Sequence, residues 1–269
     1  MNSRKHVFIA VALALLVALA GCSAFVGTPT DDGSDDDSPE EKEIKADAVN
    51  QMQSVSAYNY SMVTVVEFSD NELRTESNGT VNVSAQRMSA TNIVTAVRTN
   101  STQTRSFSEA FIFGEQQCLH IGDEWRQEDV DQSPWRTNAS LGAQQEILNN
   151  SKSTLRNETL ANGQEVYVIE VTPSQEVIQQ LVGDDTGNVD FGDVTYRQYI
   201  DRDSKQLVKS TMNATYVVNG RAANLSVEMS FSDYNTTHEI ELPKAAGGEK
   251  KPCAAMNSTA QSNRVVALD

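Results

Sequence analysis

The sequence predicts an α+β fold: a large, curved antiparallel β-sheet with short α-helices covering one of its faces. Three observations predict it. In the last third, Met212, Ala214, Tyr216 and Val218 alternate with Asn213 and Thr215, and Leu225, Val227, Met229 and Phe231 alternate with Ser226, Glu228, Ser230 and Ser232. That period of two marks strands with one apolar side. Asn162-Gly163 and Asn219-Gly220 are hairpin signals, since both residues tolerate the positive φ angles of a two-residue turn. Three short segments carry helical apolar spacing, and a one-sided sheet needs such a cover.

The chain opens with Arg4-Lys5 and an apolar run from Val7 to Ala20, closed by Leu19-Ala20-Gly21-Cys22. A basic start, a short apolar core and small residues before a cleavage point form a secretory signal. A Cys directly after Leu-Ala-Gly resembles a lipobox, whose Cys thiol receives a diacylglycerol. Residues 1–21 are therefore expected to be a lipoprotein signal peptide, with Cys22 the lipidated N-terminus. The run is shorter than the roughly 20 residues a membrane span needs. The expected location is extracytoplasmic, with the lipid at Cys22 as the membrane anchor.

Residues 22–43 read as an acidic, disordered tether. Asp31-Asp32-Gly33-Ser34-Asp35-Asp36-Asp37 has no apolar periodicity, and its like charges repel. The ligand spacing and closing Glu of a calcium-binding EF-hand are missing. The folded domain is expected over 44–245, with 246–269 a C-terminal tail.

A helix is predicted over Ile44–Val55, where Ile44, Ala48, Met52 and Val55 share a face. Strands follow at Tyr58–Phe68, around Val81 and Val83, at Met88–Val97, through Phe107, Phe111 and Phe113, and from Cys118 to Trp125. Ser69-Asp70-Asn71 and Gly114-Glu115 are the turns. Leu141–Asn150 is predicted helical. Ser153–Leu160 and Glu165–Val171 form a hairpin across Asn162-Gly163. Pro173 opens a third helix to Leu181, as Pro favours a first helical turn. An acidic Gly-rich loop covers Gly183–Asp193. Tyr196, Gln198 and Ile200 then alternate, Asp201–Ser204 turns the chain, and a last short strand runs from Glu239 to Leu242.

The formal net charge is −16. It excludes nucleic acid as a partner and disfavours anionic surfaces. Molar salt shortens the Debye length to about 3 Å and relieves such self-repulsion, so a halophilic source is expected. Beyond Cys22, Cys118 and Cys253 are left in an oxidising compartment and are a candidate disulfide.

Eleven N-x-[ST] sequons occur, at Asn59, Asn78, Asn82, Asn100, Asn138, Asn149, Asn157, Asn213, Asn224, Asn235 and Asn257. Chance gives roughly three or four at this Ser and Thr content, so they are glycosylation candidates. Asn82, Asn213 and Asn224 fall on the polar side of their strands, which makes that face the glycosylated one.

Chemistry-bearing motifs are sparse. His120 and His238 have no metal-ligand spacing around them, so no metal site is expected. No nucleophile elbow and no phosphate-binding glycine loop occur. Asp201 and Asp203 sit in a turn, where Asp is ordinary. Asp184, Asp185, Asp190 and Asp193 read as a solvated acidic loop, and Trp125 and Trp135 as packing residues. No catalytic residue, enzyme activity or cofactor is expected. The apolar side of the sheet is what remains: Phe111, Phe113, Met212, Tyr216, Met229 and Phe231 either line a ligand cavity beneath the helices or form a dry core.

Several short motifs, in order, resemble the LolA-like and LppX/LprG-like lipoproteins. They are Val55-Ser56-Ala57-Tyr58-Asn59-Tyr60, Gly122-Asp123-Glu124-Trp125, Tyr199-Ile200-Asp201-Arg202-Asp203 with Leu207-Val208-Lys209, and Phe231-Ser232-Asp233-Tyr234-Asn235 with Ile240-Glu241-Leu242-Pro243. Tyr199 stands where Trp is usual. The resemblance implies a half-barrel with helices plugging its concave face, and a lipid or other apolar ligand there. The expected function is a membrane-anchored lipoprotein that binds such a ligand. The alternative is a non-enzymatic structural or protein-interaction module of the cell envelope with a filled core.

Overall fold

The computed structural model describes residues 38–68, 71–98, 103–129, 141–160, 162–172, 189–218, 221–236, 239–242 and 253. Cys22, the tether up to residue 37, the helix expected at Pro173–Leu181, the Asn219-Gly220 turn, Trp135 and His238 lie outside the described residues.

Helix α1 (Pro39–Ser54) starts ahead of the expected Ile44, so residues 39–43, read as the end of the tether, form its first turn. The local cause is plain. Ser38 is the N-cap and accepts the Glu41 amide at 3.2 Å, Pro39 occupies the first turn, and Glu40 and Glu41 face the positive end of the helix dipole. Ile44, Ala48, Val49 and Met52 are its buried side. Helix α2 spans Leu141–Asn149 and buries Leu141, Ala143, Gln144, Ile147 and Leu148.

The strands are β1 (Ala57–Phe68), β2 (Asn71–Asn82), β3 (Arg87–Arg98), β4 (Thr104–Phe113), β5 (Gln116–Ile121), β6 (Glu124–Asp129), β7 (Lys152–Thr159), β8 (Glu165–Thr172), β9 (Val189–Asp201), β10 (Leu207–Val218) and β11 (Arg221–Ser232). They form one curved half-barrel sheet in the order β6-β5-β4-β3-β2-β1-β11-β10-β9-β8-β7. Every pairing is antiparallel. Two meanders thus meet at one seam, where β1 pairs with β11 and sets Tyr60 beside Phe231 and Met62 beside Met229.

Several expected elements differ in the structure. Residues 189–193, expected to close an acidic loop, begin β9, and Val83 and Ser84, expected in a strand with Val81, form the turn after β2. The run from Cys118 to Trp125 is two strands, β5 and β6, folded at Gly122, whose φ of +61° suits glycine. Glu239–Leu242 is not a strand; its Ile240 and Leu242 pack on the sheet instead.

The main core lies between the concave face and the two helices. It joins Ile44, Ala48 and Met52 of α1 and Leu141, Ile147 and Leu148 of α2 to Tyr58, Tyr60, Met62, Val81, Met88, Ile112, Ile169, Tyr196, Ile200, Met229 and Phe231. The fit is tight at Gly79, where a Cβ would run into the Tyr60 ring. Tyr60 is buried, and its ring would have to shift within the core. Gly79→Ala should therefore cost about 2 kcal/mol by overpacking. In urea unfolding, Tyr60→Leu with Gly79→Ala should cost clearly less than the two single changes added together. Additive costs would show that the ring yields freely.

Candidate functional site

Paired residues of an antiparallel sheet share a face, so the register sorts every side chain. One row on the concave face reads Ser108, Asn92, Ser77, Met62, Met229, Ser210, Gln198 and Ile169 across β4, β3, β2, β1, β11, β10, β9 and β8. The row beside it reads Val94, Thr75, Thr64, Val227, Met212, Tyr196 and Val171 from β3 to β8.

Met229 and Phe231 are buried in the main core, as the alternation predicts for the inward side. Tyr216 belongs to a second concave cluster with Ala214, Ala223 and Leu225, towards the strand ends farther from the β1–α1 junction. Val66, Phe68, Phe191, Val194, Met212 and Val227 surround it and are only partly buried. Met212 and Val227 touch both clusters and join them. Phe68 and Phe191 flank the Tyr216 ring, with centroids 6.1 and 5.8 Å away. This is an apolar, curved, incompletely covered surface.

Phe111 and Phe113 do not line it. They project from the opposite, outer face of β4, while Ala110 and Ile112 between and beside them point into the core. Ile240, Leu242, Cys118 and Cys253 bury them, with Trp125 at the margin. Arg87 stacks its guanidinium on Phe113 and donates to the Ile240 carbonyl at 3.2 Å. Cys118 and Cys253 form a disulfide, with Cα atoms 5.9 Å apart. The pair clips the C-terminal segment onto this patch.

Polar groups on the concave face fall into two sets. Under α2, Tyr196 donates its hydroxyl to Gln144 Oε1, and Gln198 Nε2 donates to the Gln144 carbonyl at 2.7 Å. These bonds pin the helix to β9. The other set, Thr64, Thr75, Ser77, Asn92 and Ser108, is also buried. The first set is half legible, since Tyr196, Gln198 and Ile200 alternate along their strand; the second is not, because Ser, Thr and Asn in a strand read as outward residues.

The remaining candidates are ordinary. His120 Nδ1 lies 2.9 Å from Glu109 Oε2 on the outer face, and its ring stacks on Trp125 at 4.3 Å. Asp201 organises its turn by accepting from Ser204 N, Asp203 N and Gln164 Nε2 at 2.8, 3.1 and 2.8 Å. Burial raises its pKa, but these hydrogen bonds outweigh burial and hold the carboxyl below its ordinary value. Among the described residues, no group of three or more His, Cys, Asp or Glu could hold a metal. No helix among them is long and apolar enough to cross a membrane.

Of the sequon asparagines, Asn100, Asn138 and Asn257 lie outside the described residues. None of the others is buried. Asn59, Asn78, Asn82, Asn213 and Asn224 share the outer face. Asn59 and Asn78 border an open groove of about 510 Å³ lined with Ser and Thr hydroxyls, including Ser61, Thr80, Thr91 and Ser230.

No family model matches the chain, and no curated protein matches it. Solved structures do. The Mycobacterium tuberculosis lipoprotein LppX is 14% identical and aligns over 75% of this chain and 100% of its own, with a TM-score of 0.48. LprF from Mycobacterium bovis is 14% identical over 77% of this chain and 99% of that one, with a TM-score of 0.52. An outer membrane lipoprotein-sorting protein domain from Vibrio parahaemolyticus is 12% identical over 81% and 97%, with a TM-score of only 0.23. At these identities the likeness concerns architecture, and the chain has the half-barrel fold seen in LprF.

Proposed function

We propose that this chain is a non-enzymatic, extracytoplasmic lipoprotein that holds the apolar part of a ligand on its concave face around Tyr216. One observation carries the reading: Val66, Phe68, Phe191, Val194, Met212 and Val227 form a continuous apolar surface on the concave face that is left partly uncovered. Apolar surface is favourably removed from water, at about 25 cal/mol per Å², and a ligand chain laid there would do so. The LprF-like fold supports the reading through shape alone. Cys22 is the proposed anchor, and the outer-face asparagines are the proposed glycan acceptors. The acidic surface suits a high-salt exterior.

The test is native mass spectrometry of the full chain carrying Cys22→Ser, made in a halophilic host. Extra mass that leaves with organic solvent is expected. Phe68→Ser, at a partly exposed position, should lower its occupancy about tenfold without unfolding the chain. A bare polypeptide-plus-glycan mass would sink ligand holding and favour an envelope interaction module with a filled core.

A further inference from the structure

The buried polar set under β1–β4 has no structural employment comparable to the set under α2. Ser77, Asn92 and Ser108 are consecutive in one concave row, and Thr64 and Thr75 are adjacent in the next. All five side chains are buried. Among the described residues, their one side-chain hydrogen bond is a long contact of 3.5 Å between Ser77 Oγ and Tyr60 Oη. Thr64 Oγ1 is buried with no partner at all. Gln144 accepts from both Tyr196 and Gln198, leaving only Gln198 Oε1 without a partner there, and its own amide donates to Met229 Sδ and reaches no farther.

A buried hydroxyl or amide without a partner is costly. Of the five, the Thr64 hydroxyl is the one fully enclosed without a partner, and polar groups are not needed there to fill space, because Val94 occupies the same surface directly beside Thr75. Their composition also specifies what they would meet. Across β1–β4 these two rows, and the flanking row of Ala110, Ala90, Gly79 and Tyr60, contain no charged side chain. An anionic head buried there would have no cation to pair with. Hydroxyls and an amide both donate and accept, which matches an uncharged hydroxylated head. Met62 stands next to Ser77 and leads through Met229, Val227 and Met212 to the Tyr216 cluster.

We propose that Ser77, Asn92, Ser108, Thr64 and Thr75 form a headgroup subsite for a neutral, hydroxyl-bearing amphiphile whose chain lies on the Tyr216 surface. This rests on the ligand-holding reading above and specifies its ligand class.

The experiment uses the delipidated full chain with Cys22→Ser and three probes of one chain length: monopalmitin, palmitate and hexadecane. Monopalmitin should bind at least tenfold tighter than either of the others. Asn92→Leu should remove that preference and leave hexadecane binding within about twofold. Thr64→Val guards against misfolding of the first variant. It removes the orphaned hydroxyl without changing shape, so it should raise the thermal midpoint of the empty protein while weakening monopalmitin about threefold. A group that is merely structural would not give that opposition of signs. If all three probes bind alike, or the variants weaken all three equally, the headgroup subsite is wrong and the ligand-holding surface stands. If none binds, both readings fall.

Discussion

Replacing Cys118 and Cys253 together by alanine should lower the free energy of unfolding by about 5 kcal/mol, the chain-entropy value for so long a loop. The cysteines are 135 residues apart in sequence, so the bond restrains half of the unfolded chain. The folded state also depends on it locally. Ile240 and Leu242 reach the outer face of β4 without joining the sheet, and the disulfide holds Cys253 in the same cluster. Cys253 Sγ sits 3.7 Å from the Arg126 carbonyl, over β6, an edge strand that among the described residues pairs with β5 alone. Such an edge otherwise offers free backbone groups to neighbours. The midpoint of urea unfolding should fall, and amide exchange should quicken first in β4, β5 and β6. Reducing the unmodified protein should reproduce both changes. An unchanged midpoint with unchanged exchange in those strands would mean that the clip contributes nothing in solution.

That clip marks a boundary of what could be read from the sequence. Compartment and count made Cys118 and Cys253 candidates for a disulfide, but neither that they pair nor what the bond covers could be read from them. Phe111-Ile112-Phe113 is apolar at every position, so alternation cannot say which side faces inward. Ile112 goes to the main core and the two phenylalanines go outward, because a distant C-terminal segment arrives to bury them. By contrast β10 and β11 were legible residue by residue, since each has one polar and one apolar side. Helix α1 was legible too, though its start was not found from apolar spacing; Ser38-Pro39-Glu40-Glu41 carried that signal through capping chemistry.

Strand β2 is the instructive failure. Its sequence, Asn71–Asn82, has apolar residues only at Leu73 and Val81, and its other inward positions are Thr75, Ser77 and Gly79. A strand whose buried side is polar leaves no period-two signal. The hidden strand and the proposed headgroup subsite therefore have one cause. The apolar surface around Tyr216 was half legible. Met212 and Tyr216 stood out on β10, whereas Phe68 and Phe191 join them only through a register that spans four strands.

Above about pH 10 the protein should lose stability steeply and unfold in one step with tyrosine ionisation. Five of the 7 tyrosines, Tyr58, Tyr60, Tyr196, Tyr216 and Tyr234, have their phenols raised above the ordinary value. Burial is the leading cause in each, and it pushes Tyr216 up to about 12. The hydrogen bonds of Tyr58 with the Leu141 amide and of Tyr196 with Gln144 only partly offset burial. A phenol whose folded pKa is raised keeps its proton in the native state after its unfolded counterpart has lost it. Its contribution is therefore fully present below the unfolded value near 10 and disappears as pH rises through the folded value. Each such group removes up to about 1.4 kcal/mol per pH unit in that window. Several acting together exhaust the 5–15 kcal/mol margin typical of a folded domain within a unit or two. The check is absorbance at 295 nm beside far-ultraviolet circular dichroism in an alkaline titration at fixed high salt. The five should ionise together, with a midpoint that coincides with loss of strand signal. Ionisation of all the tyrosines near pH 10 with the strands intact would mean that water reaches Tyr58, Tyr60 and Tyr196, and would contradict a closed core beneath α1 and α2.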